Sequence, residues 1–188
     1  MRNLKAELFN RKAADPKNKP DQILDALKVQ SGQTVADIGA GGGYFTLRFA
    51  DAVGRGGRVL AVDTNPALLK FIKNVARERG VDNVEAVLVT GEALPLPRGS
   101  LDLVFMRNLT HHLSGRVAYF AHLRATLKPG GRVAIIEYTR SGRPRFHKLG
   151  GHFVPKEVIV AEMRQAGYQL QQDFDFLPRQ SFTVFIVE

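Results

Sequence analysis

Strand-like and helix-like segments alternate along this chain, and this alternation limits the possible folds more than any other feature. An apolar strand at 34–38 is followed by a glycine cluster and an apolar-patterned helix at 44–53. A second strand at 58–62 leads into a helix that Pro66 opens and Gly80 ends. Such alternation is typical of a parallel sheet with helices on both faces. The sequence therefore predicts an α/β fold with a doubly wound sheet.

The rest of the chain continues this pattern, with proline and glycine marking the breaks between elements. The Lys128-Pro129-Gly130-Gly131 turn is expected to end one helix. The other predicted elements are, in chain order, a helix at 20–27, strands at 84–89 and 101–106, a helix at about 115–127, a strand at 132–138, a loop at 139–153, a helix at 155–166 and strands at 168–174 and 181–187.

The length of 188 residues suits one domain, which we expect at 20–188. Residues 1–19 are predicted to form a basic and mobile N-terminal segment without the apolar core of a secretory signal. No apolar run approaches the roughly 20 residues of a membrane-spanning helix, so the chain is expected to be cytoplasmic. It has no cysteine, which excludes disulfides, thiolate metal ligands and a cysteine nucleophile.

The formal net charge is +9, which keeps an anionic partner such as nucleic acid open. The basic residues are spread along the whole chain, and no Lys/Arg block alternates with aromatic residues. This spread favours a solvated basic surface, so nucleic acid is an unlikely partner that the charge does not exclude.

The glycine cluster predicts a ligand site. Glycines at 39, 41, 42 and 43 lie between a strand and a helix, where the backbone can approach a ligand closely and the helix N-terminus favours an anion. A dinucleotide fingerprint would need glycine at 44, but Tyr44 stands there. Asp37 would disfavour pyrophosphate and favour a cation. S-adenosylmethionine, with an ammonium, a sulfonium and one carboxylate, suits this mixture.

At these residues the chain resembles class I S-adenosylmethionine-dependent methyltransferases, over roughly residues 20–187. Asp37-x-Gly39-x-Gly41 is similar to the family's first motif, and Asp63 closes the second strand as the family's acid does. The other matching segments are Gly91-Glu92-Ala93-Leu94-Pro95, Leu101-Asp-Leu-Val-Phe and Leu127-Lys-Pro-Gly-Gly-Arg-Val. The resemblance implies a Rossmann-like, seven-stranded, mostly parallel sheet of order 3-2-1-4-5-7-6 with strand 7 antiparallel.

The resemblance also implies how the cofactor is held. Asp63 would accept hydrogen bonds from the ribose hydroxyls, Glu92 and the Ala93 N–H would address the adenine, and Arg107-Asn108 would border the methionine portion. S-adenosylhomocysteine would be the product. The expected cofactor-binding residues are Asp37, Gly39, Ala40, Gly41, Gly43, Tyr44, Asp63, Thr64, Glu92, Ala93, Arg107 and Asn108.

Methyl transfer is an in-line displacement in which the protein mainly positions the reactants, and a general base assists when the acceptor loses a proton. The candidate catalytic residues are His111, His112 and Tyr138. Packing at the start of a helix is the open alternative for the two histidines. The other candidates on the acceptor side are Glu137, His147 and His152, of which the last two suit solvent or partner contacts better. The histidine spacing matches no known ligand pattern, so no metal is expected.

The resemblance is nearest to ubiquinone/menaquinone-type C-methyltransferases, which favours a small, lipophilic acceptor. Arg107-Asn-Leu-Thr stands where amino-methylating enzymes carry Asn/Asp-Pro-Pro-Tyr/Phe. The alternatives are an RNA-directed methyltransferase, a nicotinamide-dependent oxidoreductase, which Tyr44 disfavours, and a non-catalytic S-adenosylmethionine-binding module. The chain is expected to act as a monomer or homodimer.

Overall fold

The computed structural model describes residues 3–91, 94–139 and 153–188. The helices are α1 (Leu4–Ala14), α2 (Pro20–Leu27), α3 (Tyr44–Val53), α4 (Pro66–Glu78), α5 (Arg116–Arg124) and α6 (Lys156–Gln165), with short 3-10 helices at Pro16–Asn18 and Thr110–His112. The strands are β1 (Thr34–Ile38), β2 (Arg58–Asp63), β3 (Val84–Leu88), β4 (Leu101–Arg107), β5 (Leu127–Tyr138), β6 (Tyr168–Phe174) and β7 (Gln180–Val187).

The seven strands form one sheet of order β3-β2-β1-β4-β5-β7-β6. The β1–β2, β2–β3 and β4–β5 pairs are parallel, whereas β7 runs antiparallel to both β5 and β6. The predicted α/β fold, its strand order and the antiparallel strand 7 are therefore confirmed. Among the described residues, no helix is long and apolar enough to cross a bilayer.

The contacts divide the chain into two compact units, Met1–Leu96 and Pro97–Glu188. A single domain over residues 20–188 stays a prediction. In the first unit, β1 and β2 are almost wholly buried, as expected of inner strands of a parallel sheet. Helix α4 buries Leu68, Ile72 and Ala76 at helical spacing, and Asn65 caps its N-terminus by accepting from the Ala67 N–H at 2.9 Å.

Helix α1 was not anticipated, because its residues fall in the segment predicted to be basic and mobile. It begins with an N-cap at Asn3, whose side chain accepts from the Ala6 N–H at 3.1 Å. Ala6 and Ala13 are buried, and the helix packs against α3 and α4. The mobility predicted for residues 1–19 stays a prediction.

In the second unit, α5 and α6 are joined by a bidentate ion pair. Arg116 Nε and Nη2 donate to the two oxygens of Glu162, each at 2.7 Å, and this bonding raises the pKa of Arg116. Tyr168 at the start of β6 is fully buried and donates its hydroxyl to the Phe120 carbonyl at 3.0 Å. These contacts hold both helices to the β5-β7-β6 part of the sheet.

The prediction of a helix over 115–127 was wrong at its end. Helix α5 stops at Arg124, and β5 already begins at Leu127. The Gly99 N–H donates to the Ala125 carbonyl, and the Thr126 carbonyl accepts from residues 100 and 101. Ala125 and Thr126 themselves donate to carbonyls three positions back, so the chain has left the α-helix before Leu127 enters the sheet. The Lys128–Gly131 turn instead lies in an irregular stretch of the β4–β5 pairing.

Burial raises the pKa of Tyr168, so the folded protein keeps this phenol neutral where the unfolded chain ionises it. We expect the free energy of unfolding to fall as the pH rises above about 10, the ordinary tyrosine value, with Tyr168 contributing part of the loss. Tyr168→Phe should cost about 1 kcal/mol at neutral pH, because one hydrogen bond is lost, and should flatten the alkaline slope. Urea unfolding across the pH range measures both effects. An unchanged alkaline slope would contradict this assignment.

Candidate functional site

The loop between β1 and α3 folds back on itself because its glycines adopt left-handed backbone. Gly39, Gly41 and Gly43 have φ of 76°, 57° and 81°, which side-chain-bearing residues rarely adopt. The Gly39 N–H donates to the Val62 carbonyl of β2 at 2.8 Å, which ties the loop to the neighbouring strand. The loop then enters α3 at Tyr44, so that the helix N-terminus directs N–H groups towards it.

Two carboxylates hold the loop and the strand ends around it. Asp37, buried at the end of β1, accepts from Thr46 Oγ1 of α3 at 2.6 Å. Asp63, half-buried at the end of β2, accepts from the Gly41 N–H at 3.0 Å and from the Asn65 N–H at 2.9 Å. A carboxylate has about four acceptor positions, so Asp63 can accept further hydrogen bonds.

Tyr44 is fixed by a chain of polar contacts. Its hydroxyl accepts from Arg48 Nη1 at 3.1 Å, and Arg48 Nη2 donates to Asp21 Oδ1 of α2 at 2.7 Å. The hydrogen bond to Asp21 raises the pKa of Arg48 above its ordinary value. The first residue of α3 is thus held in place by α2.

Helix α1 lies directly against the glycine loop. A Cβ placed on Gly42 would come within 2.3 Å of both the Ala6 carbonyl oxygen and Asn10 Oδ1, and a Cβ on Gly41 would come within 3.2 Å of Phe9. Asn10 Oδ1 is buried and has no hydrogen-bond partner among the described residues. A buried acceptor without a donor is costly, so this oxygen suits a ligand that brings one.

The other residues predicted to bind the cofactor differ in their surroundings. The side chain of Ala40 is buried with Ala61 and Ile72, which leaves only its backbone for a ligand. Thr64 is exposed. Glu92 and Ala93 lie outside the described residues.

In the second unit, the candidate catalytic residues lie around one fully buried carboxyl group. Glu137, near the end of β5, accepts from Thr110 Oγ1 at 2.5 Å and from the Tyr138 N–H at 2.8 Å. His111 Nδ1 lies 2.9 Å from Glu137 Oε1, and the His111 side chain is only 5% exposed. A carboxylate oxygen accepts, so this contact suits the tautomer in which Nδ1 donates and Nε2 is left as the acceptor.

The other two catalytic candidates, His112 and Tyr138, lie beside the ring of His111. His112 is exposed, and its ring centroid is 4.1 Å from that of His111. The Tyr138 ring centroid is 6.3 Å from that of His111. Burial raises the pKa of Tyr138, so its phenol stays neutral and can donate a hydrogen bond at neutral pH. His147 and His152 lie outside the described residues.

Arg107 ends β4, and Asn108 follows it in an unusual backbone conformation. Asn108 has φ of 53°, a left-handed value that asparagine tolerates better than most residues. Its side-chain oxygen accepts from Gln180 Nε2 at 2.6 Å, and Arg107 Nη2 lies 3.5 Å from Gln180 Oε1. Gln180 is buried on β7 and thereby fixes both side chains. Strained backbone of this kind is concentrated at functional sites.

Sequence analysis missed several residues that shape these sites. Thr46 could have been suspected, because it is a polar residue among the apolar positions of α3, whereas Thr110 lies in a largely polar stretch. Gln180 gave no signal, since its partners are 72 and 73 positions away in the sequence. Over the described ranges, no group of three or more His, Asp or Glu side chains could hold a metal ion.

A model of the family described as "Methyltransferase domain" matches residues 35–131. The ubiquinone/menaquinone biosynthesis C-methyltransferase UbiE of Enterobacter sp. (strain 638) is 34% identical over 118 residues, which are 62% of this chain and 47% of that protein. The chain therefore spans about half the length of the curated relatives it matches.

Solved structures support the same fold. A SAM dependent methyltransferase from Aquifex aeolicus aligns with 99% of this chain and 100% of its own, with a TM-score of 0.84 and 21% identity. A geranyl diphosphate methyltransferase in complex with SAM aligns with 92% of this chain and 85% of its own, with a TM-score of 0.74 and 16% identity. At these identities the likeness concerns the fold alone.

Gly42→Ala tests the contact between α1 and the loop. The added methyl group would overlap the Ala6 carbonyl, so we expect α1 to be displaced and the protein to lose about 1–3 kcal/mol of stability. Limited proteolysis within α1 and urea unfolding measure the two effects. Gly56→Ala is the control, because its Cβ would meet only ordinary contact at 3.9 Å. Equal behaviour of the two variants would contradict the packing of α1 on the loop.

Proposed function

The chain belongs to the methyltransferase domain family, and on that premise we propose that it transfers a methyl group from S-adenosylmethionine to a small, lipophilic acceptor. The observation that carries the proposal is the bare glycine loop fastened to Asp63 through the Gly41 N–H. A loop of this kind at the carboxyl end of the first strand is where α/β sheets of this class bind their ligands.

The residues of the first unit fit this cofactor. Asp63 retains acceptor capacity for the two ribose hydroxyls, and the N-terminus of α3 suits the carboxylate. Asn10 Oδ1, buried beside Gly42, and the carboxylate of Asp37 suit the ammonium. When bound, S-adenosylmethionine supplies an electrophilic methyl group on a sulfonium. The parts of Asp37, Gly41 and Asp63 are proposals, and those assigned to Gly39, Ala40, Gly43, Tyr44, Thr64, Glu92 and Ala93, and to Arg107 and Asn108, stay predictions.

We infer that His111 supplies the general base. Glu137 holds His111 with Nδ1 protonated, so that Nε2 can take a proton from the acceptor, and it stabilises the imidazolium that forms. His111 is then the proposed catalytic residue and Glu137 a positioning residue. Tyr138 would act by donating a hydrogen bond, and His112, being exposed, has weaker support.

A base of this kind suits an acceptor that must lose a proton, such as a phenol or an activated ring carbon. The names of the UbiE relatives refer to C-methylation in ubiquinone and menaquinone biosynthesis, which is chemistry of this class. An RNA-directed reaction is supported only by the net charge of +9. Nothing favours an oxidoreductase or a non-catalytic module. The cytoplasmic location and the monomeric or dimeric state stay predictions.

Asp63→Asn tests the cofactor site. The loss of a charged acceptor should weaken binding of S-adenosylhomocysteine about 10- to 100-fold, because a hydrogen bond to a charged group contributes about 1.5–3 kcal/mol. Calorimetry measures the affinity, and Asp51→Asn, an exposed change on α3, is the control. If the unaltered protein binds neither S-adenosylmethionine nor S-adenosylhomocysteine at millimolar concentration, the proposed function is wrong.

His111→Gln tests the base. We expect kcat for methylation of a panel of hydroquinones and phenols with labelled donor to fall about 10²- to 10⁴-fold, while affinity for S-adenosylhomocysteine is retained. Glu137→Gln should lower kcat less, because the amide oxygen can still accept from Nδ1 but cannot stabilise the imidazolium. His122→Gln, an exposed histidine on α5, serves as the control. Full activity of His111→Gln would remove His111 from the mechanism.

A further inference from the structure

The outward side of α1 carries exposed leucines. Six large hydrophobic side chains of the described residues are exposed, and Leu4, Leu8 and Phe9 on this one 11-residue helix are three of them. Leu4 is the most exposed of all six, at 69%. Singly scattered apolar residues are normal on a surface, whereas apolar residues grouped on one element mark an interaction site.

Helical spacing divides α1 into distinct stripes. Ala6, Asn10 and Ala13 recur at intervals of four and three, and they form the inward stripe that packs on the protein. Leu4, Leu8 and Arg11 have the same spacing on the outward side. The stripe of Lys5, Phe9 and Lys12 lies beside them. We call Leu4, Lys5, Leu8, Arg11 and Lys12 the outward face of α1.

The packing of α1 within the first unit uses the inward stripe and not the outward face. The helix packs on α3 and α4, and Ala6 and Ala13 of the inward stripe are buried. Asn3 fixes the start of the helix by donating from Nδ2 to the Ala67 carbonyl of α4 at 3.3 Å. The helix is therefore held in one orientation, and its leucines are presented outwards.

Cations surround these leucines. Lys5, Arg11 and Lys12 are exposed, Lys17 of the following 3-10 helix is exposed as well, and Glu7 is the only acidic residue of α1. Leucines flanked by Lys and Arg are the composition of helices that lie in the interface of an anionic bilayer. Their apolar side chains enter the acyl boundary, while the long cationic side chains reach the lipid phosphates.

We propose that the outward face of α1 docks on the surface of an anionic lipid bilayer. Because the inward stripe of the same helix packs on the glycine loop, docking holds that loop one helix away from the membrane surface. RNA would be attracted by the cations alone, since its contacts are dominated by phosphates. The leucines at the centre of the face favour the bilayer.

Sedimentation of the full chain with vesicles tests this proposal. The protein should bind vesicles of phosphatidylglycerol and phosphatidylcholine in equal parts and should not bind phosphatidylcholine alone. Leu4→Gln with Leu8→Gln keeps the charge and a high helix propensity, and it should weaken binding by at least about tenfold. Lys5→Gln with Lys12→Gln should weaken it by a similar factor and reduce its salt dependence.

Val158→Gln with Leu170→Gln, which alters two exposed hydrophobic residues of the second unit, is the matched control and should bind like the unaltered protein. Circular dichroism and urea unfolding confirm that each variant is folded. The proposal is overturned if anionic vesicles are not bound, or if binding depends on the lysines but not on the leucines. It is also overturned if the leucine variant converts a dimer into a monomer in light scattering. Cofactor affinity does not enter these outcomes, so failure here leaves the proposed function intact.

Discussion

The packing of the first unit depends on the backbone of residues 39–43, which lies in close contact with β2 and with α1. The Gly41 N–H is bound to Asp63, and Gly42 lies so near the Ala6 carbonyl that no side chain fits between them. The loop is therefore fixed to β2 from one direction and covered by α1 from another. Both contacts require glycine, one because of its left-handed backbone and the other because of space.

In the second unit, a buried carboxyl group takes the place that bare backbone has in the first. Glu137 is fully buried, and a carboxylate in that position is tolerated only when its oxygens are hydrogen-bonded. Thr110, His111 and the Tyr138 N–H meet this requirement together. One consequence is that the His111 ring is held through Nδ1, in the orientation that the proposed general base requires.

Much of the fold could be predicted because its signals are local. The bounds of β1, α2, α3 and β6 follow from apolar runs and from the glycine and proline residues that end them. The end of α5 was predicted wrongly, because carbonyls 125 and 126 bond to the residues that lead into β4, and no local pattern records that pairing. Helix α1 was missed because residues 1–19 were judged by their basic composition as a whole, whereas the helix is held by the packing of Ala6 and Ala13.

By itself, the sequence determined the alternation of elements, the glycine loop and the acids at the strand ends, since each depends on residues that are neighbours in the chain. The resemblance to a known family supplied the strand order. Only the tertiary structure decided that Glu137 binds His111, that Gln180 holds Asn108 and that α1 covers the loop. These contacts join residues 26 to 72 positions apart or depend on close packing, and a one-dimensional pattern carries no information about which distant groups meet.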